Sequence, residues 1–512
     1  MSGTFKILES QKIPWKMLMW ILGLGLILRC AILVIFGGET LEIVDETHYN
    51  ALAVELAQSG LYMTPGEGLV SIRPPLYPWV LSVIYKIFGL ENYTAVRIFQ
   101  IFISLLTTLV VYGLAREWDG FLTSRGALWT AALFCFYPSL VAENYLLLTE
   151  TLFTFWLVLV LWTASRFLRT GSIYAAAFCG VFIAFGALTR SILWLSPIPL
   201  AVFFMIFAGW KFTSVTQETY GSRRIYDPRD TQDLHNTHFT WKQRVFGAFL
   251  LLIFAGVGMA PWIIRNTRLQ ETFTPIDCMS GRNLMMGNYE FTPFYRAWDA
   301  ISAQPPYDWY TVLDKAVYEK DGLDLDPLTQ GEKDRLASAY VKDFIKKNPG
   351  LTLKRDLMKA LCFWQLERST LAGVAQGFWG FDQIPTGTPR QVALVALAGT
   401  ILLPYVSMFA LATLGVCILR YRASFLPIVA LMLAVILYFW LLHTLAFAHE
   451  RYHLPLIPIL ILFAVYAVEN FHGTRKYLSQ NSFRLTIFSL ILAIFGIFWI
   501  CEIWWAMKSG GM

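Results

Sequence analysis

Asp45-Glu46-Thr47-His48-Tyr49 gathers two carboxylic acids, an imidazole and a phenol in one short run, about two helical turns past the end of a long apolar stretch. A carboxylate held in a water-poor site can take the proton from an alcohol as its oxygen attacks. The pair therefore reads as a general base or, as a second chemical reading, as a metal-ligand pair. If the run is helical, Asp45 and Tyr49 share a face, while Glu46 points elsewhere to orient a partner or bind an acceptor. The structural alternative is a solvated helix start, because acids are favoured in a first turn and Leu52, Ala53 and Leu56 supply the apolar spacing of a short helix.

Cations follow the acids along the chain. Arg73 precedes Pro74-Pro75 and an apolar stretch to Phe88 that is too short to cross a bilayer, so it introduces an interfacial or re-entrant helix. Prolines are ordinary punctuation at a helix start. They do not explain an arginine at the level of the lipid headgroups, where paired N–H donors suit a phosphate. Glu143 closes one apolar run and Glu150 opens the next, and Arg190 and Arg265 end two others. A helix dipole accounts for Glu150, Arg190 or Arg265 taken singly. It does not account for Arg73, Arg190, Arg265 and Arg451 all falling at one membrane edge opposite Asp45, Glu46, Glu143 and Glu150, where charges are functional candidates by default.

Around these charges, Asn266, Ser280-Gly281-Arg282-Asn283 and Gly287-Asn288 are small and polar, as in a tight binding loop. His449-Glu450-Arg451-Tyr452-His453 joins two apolar runs. Its histidines and Glu450 have a spacing that resembles zinc chemistry but no helical ligand ladder, so headgroup or phosphate contact is preferred and no metal site is assigned. Asp45, Glu46 and Glu150 are the candidate catalytic acids. His48, Tyr49, Glu143, Arg190, Asn266, Asn288, His449 and His453 are candidate substrate contacts.

A membrane scaffold must position these residues. Of 512 residues, 56% are hydrophobic and 15% charged, which is not a soluble composition. Apolar runs of about twenty residues, each able to cross the ~30 Å hydrocarbon core, recur along nearly the whole chain. About eleven spanning helices are expected, near 15–37, 94–116, 124–143, 146–168, 172–190, 192–210, 245–263, 392–419, 425–446, 453–471 and 485–506. The first carries Arg29 and lacks a small-residue cleavage site, so it reads as a retained helix and not a signal peptide.

With a cytoplasmic N-terminus, Lys6, Lys12, Lys16, Arg116, Arg125, Arg166, Arg169, Lys211, Arg223, Arg224, Arg229, Lys242, Arg244, Arg420, Arg422, Arg475 and Lys476 fall inside. This positive-inside pattern explains the net charge of +6 without nucleic acid as a partner. It sends the first loop (38–93), the segment 264–391 and the connection 447–452 outside. Three units follow: an N-terminal membrane module (1–263), an outer loop domain (264–391) and a C-terminal membrane module (392–512). Within the outer domain, 331–348 has helical spacing, and the amphipathic stretch to Trp364 suits a helix lying on the membrane surface. The polar inner loop 211–244 is expected to be mobile. Five of the seven cysteines lie in apolar runs, while Cys278 and Cys362 are placed outside, where a disulfide is chemically permitted. Gly256 and Gly258 sit inside an apolar run, so they form no dinucleotide fingerprint.

Taken in order, Asp45-Glu46, Arg73-Pro74-Pro75, Thr149-Glu150, Leu188-Thr189-Arg190, Pro261-Trp262 with Arg265-Asn266, and Arg451-Tyr452 with Pro455 resemble the GT-C membrane glycosyltransferases. The nearest group is the branch of protein O-mannosyltransferases and lipid A aminoarabinose transferases. The resemblance implies an all-α GT-C fold with extracytoplasmic interfacial helices and a small mixed outer-loop domain. It also implies sugar transfer, usually with inversion, from a polyprenyl-phosphate donor to a glycan, lipid or protein acceptor outside the cytoplasm, at the inner or plasma membrane. Asp45 then matches the first-loop base, Glu150 helps shape the sugar or acceptor site, and Arg73, Arg265 and Arg451 hold the donor phosphate. No cofactor is implied, and a divalent metal is left open. The rival readings are a transporter or flippase, which predicts inverted repeats and polar residues through the membrane that the chain lacks, and a non-catalytic partner subunit.

Overall fold

In a computed structural model the chain is described over residues 14–36, 40–41, 43–118, 121–208, 240–375, 387–419, 426–471 and 481–508. The first part holds α1 (Trp15–Phe36), α2 (Val44–Gln58), an antiparallel hairpin of β1 (Met63–Thr64) and β2 (Gly68–Leu69), and α3 (Leu76–Phe88). There follow α4 (Tyr93–Arg116), α5 (Ser124–Cys135), α6 (Pro138–Ala142), α7 (Glu150–Thr170), α8 (Ile173–Thr189), α9 (Pro197–Phe207) and α10 (Trp241–Gln270). The next segment contributes α11 (Ser280–Met286), α12 (Trp309–Asp321), α13 (Gln330–Lys347), α14 (Pro349–Cys362) and α15 (Ser369–Ala375). The chain closes with α16 (Thr388–Cys417), α17 (Leu426–Leu445), α18 (Ile457–Glu469) and α19 (Ser482–Lys508).

Among the described residues, eight helical segments are long and apolar enough to cross a membrane: α1, α4, α7, α10, α16, α17, Glu450–Glu469 and α19. The protein is therefore an all-α, multi-pass membrane protein. Three expected spans are shorter than the sequence suggested. The run 124–143 breaks into α5 and α6 because Pro138 lacks an N–H and holds Tyr137 extended. The run 192–210 becomes a 3-10 turn at Ser191–Leu193 followed by α9, which Pro197 starts. The run 172–190 is the seventeen-residue α8, with Ser172 accepting the N–H of Ala175.

α10 departs the other way. It runs to Gln270, past the expected end at 263, and its thirty residues make a rod of ~45 Å, longer than the ~30 Å apolar core. Arg265 and Asn266 therefore ride on a helix and not in a loop. Thr240 and Gln243 cap its start reciprocally, so residues 240–244 of the expected inner loop are ordered. The rest of that loop, 211–239, lies outside the described residues, as do Lys6, Lys12, Lys211, Arg223, Arg224, Arg229, Arg420, Arg422, Arg475 and Lys476.

One apolar core runs through the N-terminal helices and into α16 to α19. α10 lies along α8 and α16 along α18. Small residues permit this closeness: a Cβ on Gly180 would meet the Leu251 carbonyl oxygen at 2.4 Å. The segment expected to lie outside has a separate core around Met285, Tyr289, Leu313 and Val341.

α14 joins the two parts in an inside-out manner. It buries Thr352, Arg355 and Lys359, while Leu353 and Leu357 are 62% and 63% exposed. Arg355 donates to the carbonyls of Tyr289 and Thr292, each at 2.7 Å. Lys359 Nζ donates to the carbonyls of Leu445 and Ala446, at the end of α17, at 3.3 and 3.1 Å, and to Asn288 Oδ1 at 3.1 Å. Lys359→Met is therefore expected to destabilise the protein by ~3 kcal/mol, because several buried acceptors lose their donor. Leu357→Ala, on the exposed face, is expected to change little. Unfolding of the detergent-solubilised variants checks this, and equal midpoints for the two would refute it. Cys278 and Cys362 are both free thiols: Cys278 lies beside Thr274, whereas Cys362 belongs to the main core, so the permitted bridge does not form.

Candidate active site

Asp45 lies in the first turn of α2, and the residue beside it fixes that turn. Glu46 accepts the N–H of Ile43 through Oε2 at 2.8 Å, in the manner of a capping acid. Its Oε1 accepts the N–H of Leu147 at 2.7 Å. Fully buried, Glu46 ties the first loop to the segment before α7.

Arg73 reaches Asp45 Oδ1 at 2.6 Å, stands 3.2 Å from His48 Nδ1 and lies over the ring of Tyr49. Arg451, in a 3-10 turn at Glu450–Tyr452, takes Asp45 Oδ2 at 3.0 Å and, through Nε, Glu150 Oε1 at 2.9 Å. Arg190 shares that Glu150 oxygen at 2.7 Å, between the rings of Phe153 and Tyr452. The result is a chain of alternating charge, Arg73, Asp45, Arg451, Glu150, Arg190, assembled from four distant parts of the sequence. The planar fork of Arg451 serves two acids at once, which a lysine ammonium would not do with the same geometry.

Burial raises the Asp45 carboxyl, but Arg451 and Arg73 outweigh it and hold the group well below the usual carboxylate range. A depressed acid contributes stability that is fully present above its unfolded value, near 4, and is lost as pH falls through the lower folded value. The stability difference between wild type and Asp45→Asn is thus expected to stay constant from pH 8 to about 5 and to shrink only below about 4. A difference that already falls between pH 7 and 5 would contradict this.

Glu143 and Glu150 both line a cavity of about 10 Å³, with Ser104 and Thr154. That volume is about the size of one water. Glu143 Oε2 is buried there without a hydrogen-bond partner among the described residues.

Four expected residues are engaged elsewhere. Arg265 donates to the carbonyls of Val70 (2.6 Å) and Tyr62 (3.3 Å) and to Ser71 Oγ (3.1 Å), and stacks on Trp262. Asn266 accepts from Ser71 Oγ and donates to the Ile276 carbonyl. Asn288 donates to the Leu445 carbonyl. His453 is fully buried, between Trp364 and Tyr405, with Nδ1 at 2.7 Å from the Phe363 carbonyl. His449 is nearer the site: its Nδ1 accepts the Arg451 N–H at 3.1 Å and its ring meets Trp298 edge-on. Among the described residues, no three His, Cys, Asp or Glu side chains stand together as a metal-ligand set.

Sequence reasoning missed the support beneath Arg451. The Glu450 carboxylate accepts the Ser369 N–H at 2.8 Å, the Ser369 hydroxyl and the Gln365 amide. Glu367 accepts from Tyr137 Oη at 2.9 Å and from Ser139. Glu502 accepts the Leu366 N–H at 3.0 Å and pairs with Arg368 at 2.9 Å. Residues 365–369 thus anchor the turn that carries Arg451. They follow an aromatic stretch with no periodicity that marks them.

Residues 72–221 match the family described as dolichyl-phosphate-mannose-protein mannosyltransferase. The GT-C resemblance holds over this segment. The GT-C-like stretch includes Arg73, Glu143, Glu150 and Arg190. No curated protein matches the chain. Among solved structures the chain is similar to an Archaeoglobus fulgidus oligosaccharyltransferase in complex with zinc and sulfate, at 13% identity over 92% of this chain and 51% of that one, with a TM-score of 0.46. It is also similar to the oligosaccharyltransferase AglB of the same organism with an inhibitory peptide and a dolichol-phosphate, at 14% identity over 94% and 55%, with a TM-score of 0.46. The chain spans about half the length of these structures.

Proposed function

We propose that the protein is a glycosyltransferase that moves a sugar from a polyprenyl-phosphate donor to an acceptor hydroxyl on the non-cytoplasmic side of the plasma or inner membrane. The observation that carries this reading is the Asp45 carboxylate held between Arg73 and Arg451. The family match over 72–221 supports it.

With both oxygens paired to arginines, Asp45 is a weak base at rest. An arriving donor phosphate competes for Arg73 and Arg451, and Asp45 regains basicity as they turn to it. Asp45 then takes the proton of the acceptor hydroxyl while that oxygen bonds to the anomeric carbon. The bond from that carbon to the phosphate oxygen breaks with inversion, and the arginines hold the charge gathering on the leaving phosphate. Glu150 keeps Arg451 and Arg190 in place. Arg265 serves the site at one remove, through the Tyr62 and Val70 carbonyls, and Glu46 by fixing the loop. The modules 1–263 and 392–512 supply the two sides of the site, and 264–391 covers it.

The test is turnover by purified protein in nanodiscs with a panel of undecaprenyl-phosphate sugars. Consumption of at least one donor, with release of undecaprenyl phosphate, is expected. Neither turnover nor binding of any donor by well-folded protein would overturn the proposal and favour a transporter or an idle partner subunit.

A further inference from the structure

Glu143 ends α6 as its C-cap, and Thr154 stands one turn after Glu150 on the same face of α7. The cavity of about 10 Å³ lies between them, with Ser104 of α4 on its wall. Two of its lining oxygens, Glu143 Oε2 and Thr154 Oγ1, are buried without a hydrogen-bond partner among the described residues. Their residues are 6% and 3% exposed, so bulk solvent does not serve them. Leaving two such atoms unmet is costly.

The cations nearby are spent elsewhere. Arg190 and Arg451 both bond Glu150 Oε1, and Arg451 also takes Asp45. Arg29, fully buried in α1, donates from Nε to Asn144 Oδ1 at 2.9 Å and from NH2 to Ser104 Oγ at 3.0 Å. Asn144 in turn donates to the Leu140 carbonyl and to Thr151 Oγ1, each at 3.2 Å, which fixes the backbone beside Glu143. Glu46, the other acid nearby, is bound to the N–H groups of Ile43 and Leu147. Among the described residues no cation is ion-paired to Glu143 and no N–H donates to its Oε2. A buried carboxyl so placed keeps its proton, the more so with the Glu150 carboxylate on the same cavity.

We infer that this cavity binds one water, held by a protonated Glu143 and by Thr154, behind Glu150. The volume suits a single water, and a buried water needs roughly two to four polar partners. It accepts hydrogen bonds from the Glu143 acid proton and the Thr154 hydroxyl, and its own protons are left for Glu150 and Ser104, the other polar walls. Glu143 is thereby a positioning residue behind the alternating chain and not a substrate contact. With Glu143 neutral, Arg73, Arg190 and Arg451 face the two carboxylates of Asp45 and Glu150, an excess of one positive charge. The water site stands whether or not the chain is a glycosyltransferase.

Infrared spectra of the protein in nanodiscs at neutral pH test it without substrate. Wild type is expected to show the C=O stretch of a neutral carboxyl that Glu143→Gln removes, with the carboxylate bands unchanged. Thr154→Val keeps the shape of the side chain and takes one partner from the water. It is expected to shift that C=O stretch and to lower Tm, because a hydrogen bond is lost. In a dry cavity the same change would delete an unmet hydroxyl and raise Tm. Should Glu143→Gln fail to fold, the band shift in Thr154→Val still identifies the acid that faces the cavity. Should Thr154→Val fail to fold, a density map of the wild type at a resolution that shows waters decides, with a water expected within hydrogen-bond reach of Glu143 and Thr154. A carboxylate band lost in Glu143→Gln, a Tm unchanged or raised in Thr154→Val, or such a map without that water each overturns the site.

Discussion

Asp45→Asn is expected to lower sugar transfer by about a thousandfold, within the range of a lost general base, while undecaprenyl phosphate binds at least as tightly as to wild type. The amide keeps the size of the side chain and removes its charge. Arg73 and Arg451, which the carboxylate holds at 2.6 and 3.0 Å, are then released toward the phosphate. Loss of turnover with retained or improved binding separates a base from a structural acid, whose removal would weaken both. Single-turnover transfer and lipid binding in the same nanodiscs supply the two numbers. Turnover within tenfold of wild type, or binding lost together with turnover, would exclude Asp45 as the base.

Arg451→Met is expected to cost both assembly and activity. Arg451 is the link between the two acids, so its removal leaves Asp45 with Arg73 alone and Glu150 with Arg190 alone. Breaking a buried charge network by deleting one member costs ~3–5 kcal/mol. Donor affinity is expected to fall with it, since a phosphate ligand is lost. Arg451→Lys should recover little, because an ammonium cannot span both carboxylates as Nε and NH2 do. Wild-type stability in Arg451→Lys would show that a point charge suffices and that the fork geometry is incidental.

The grouping of Asp45, Arg73, Glu150, Arg190 and Arg451 was legible in the sequence because charges at the edge of an apolar bundle are expensive and so stand out. The same rule gave Arg265 and His453, which the structure engages within the fold: Arg265 by the Val70 carbonyl and Ser71 Oγ, His453 between the Phe363 carbonyl and Glu367. Residue type alone does not separate a charge or ring met by backbone from one that faces a ligand. Hydropathy marked the helices well but not their ends. Apolar character fades at Arg265, yet α10 continues to Gln270, because the edge of the bilayer and the end of a helix are set by different forces. The break at Pro138 was visible as a residue and was overridden by the length of the apolar run around it.

The two carboxylates of the alternating chain come from the first third of the sequence, whereas the arginine that joins them follows Asp45 by 406 residues. At ~5–20 residues per second of synthesis, that interval is ~20–80 s. During it, a nascent chain already inserted in the membrane carries Asp45 and Glu150 without their shared partner. The ion-pair chain is completed only when the last helices arrive, so a product truncated ahead of residue 451 would keep its early spans and lack the joined site.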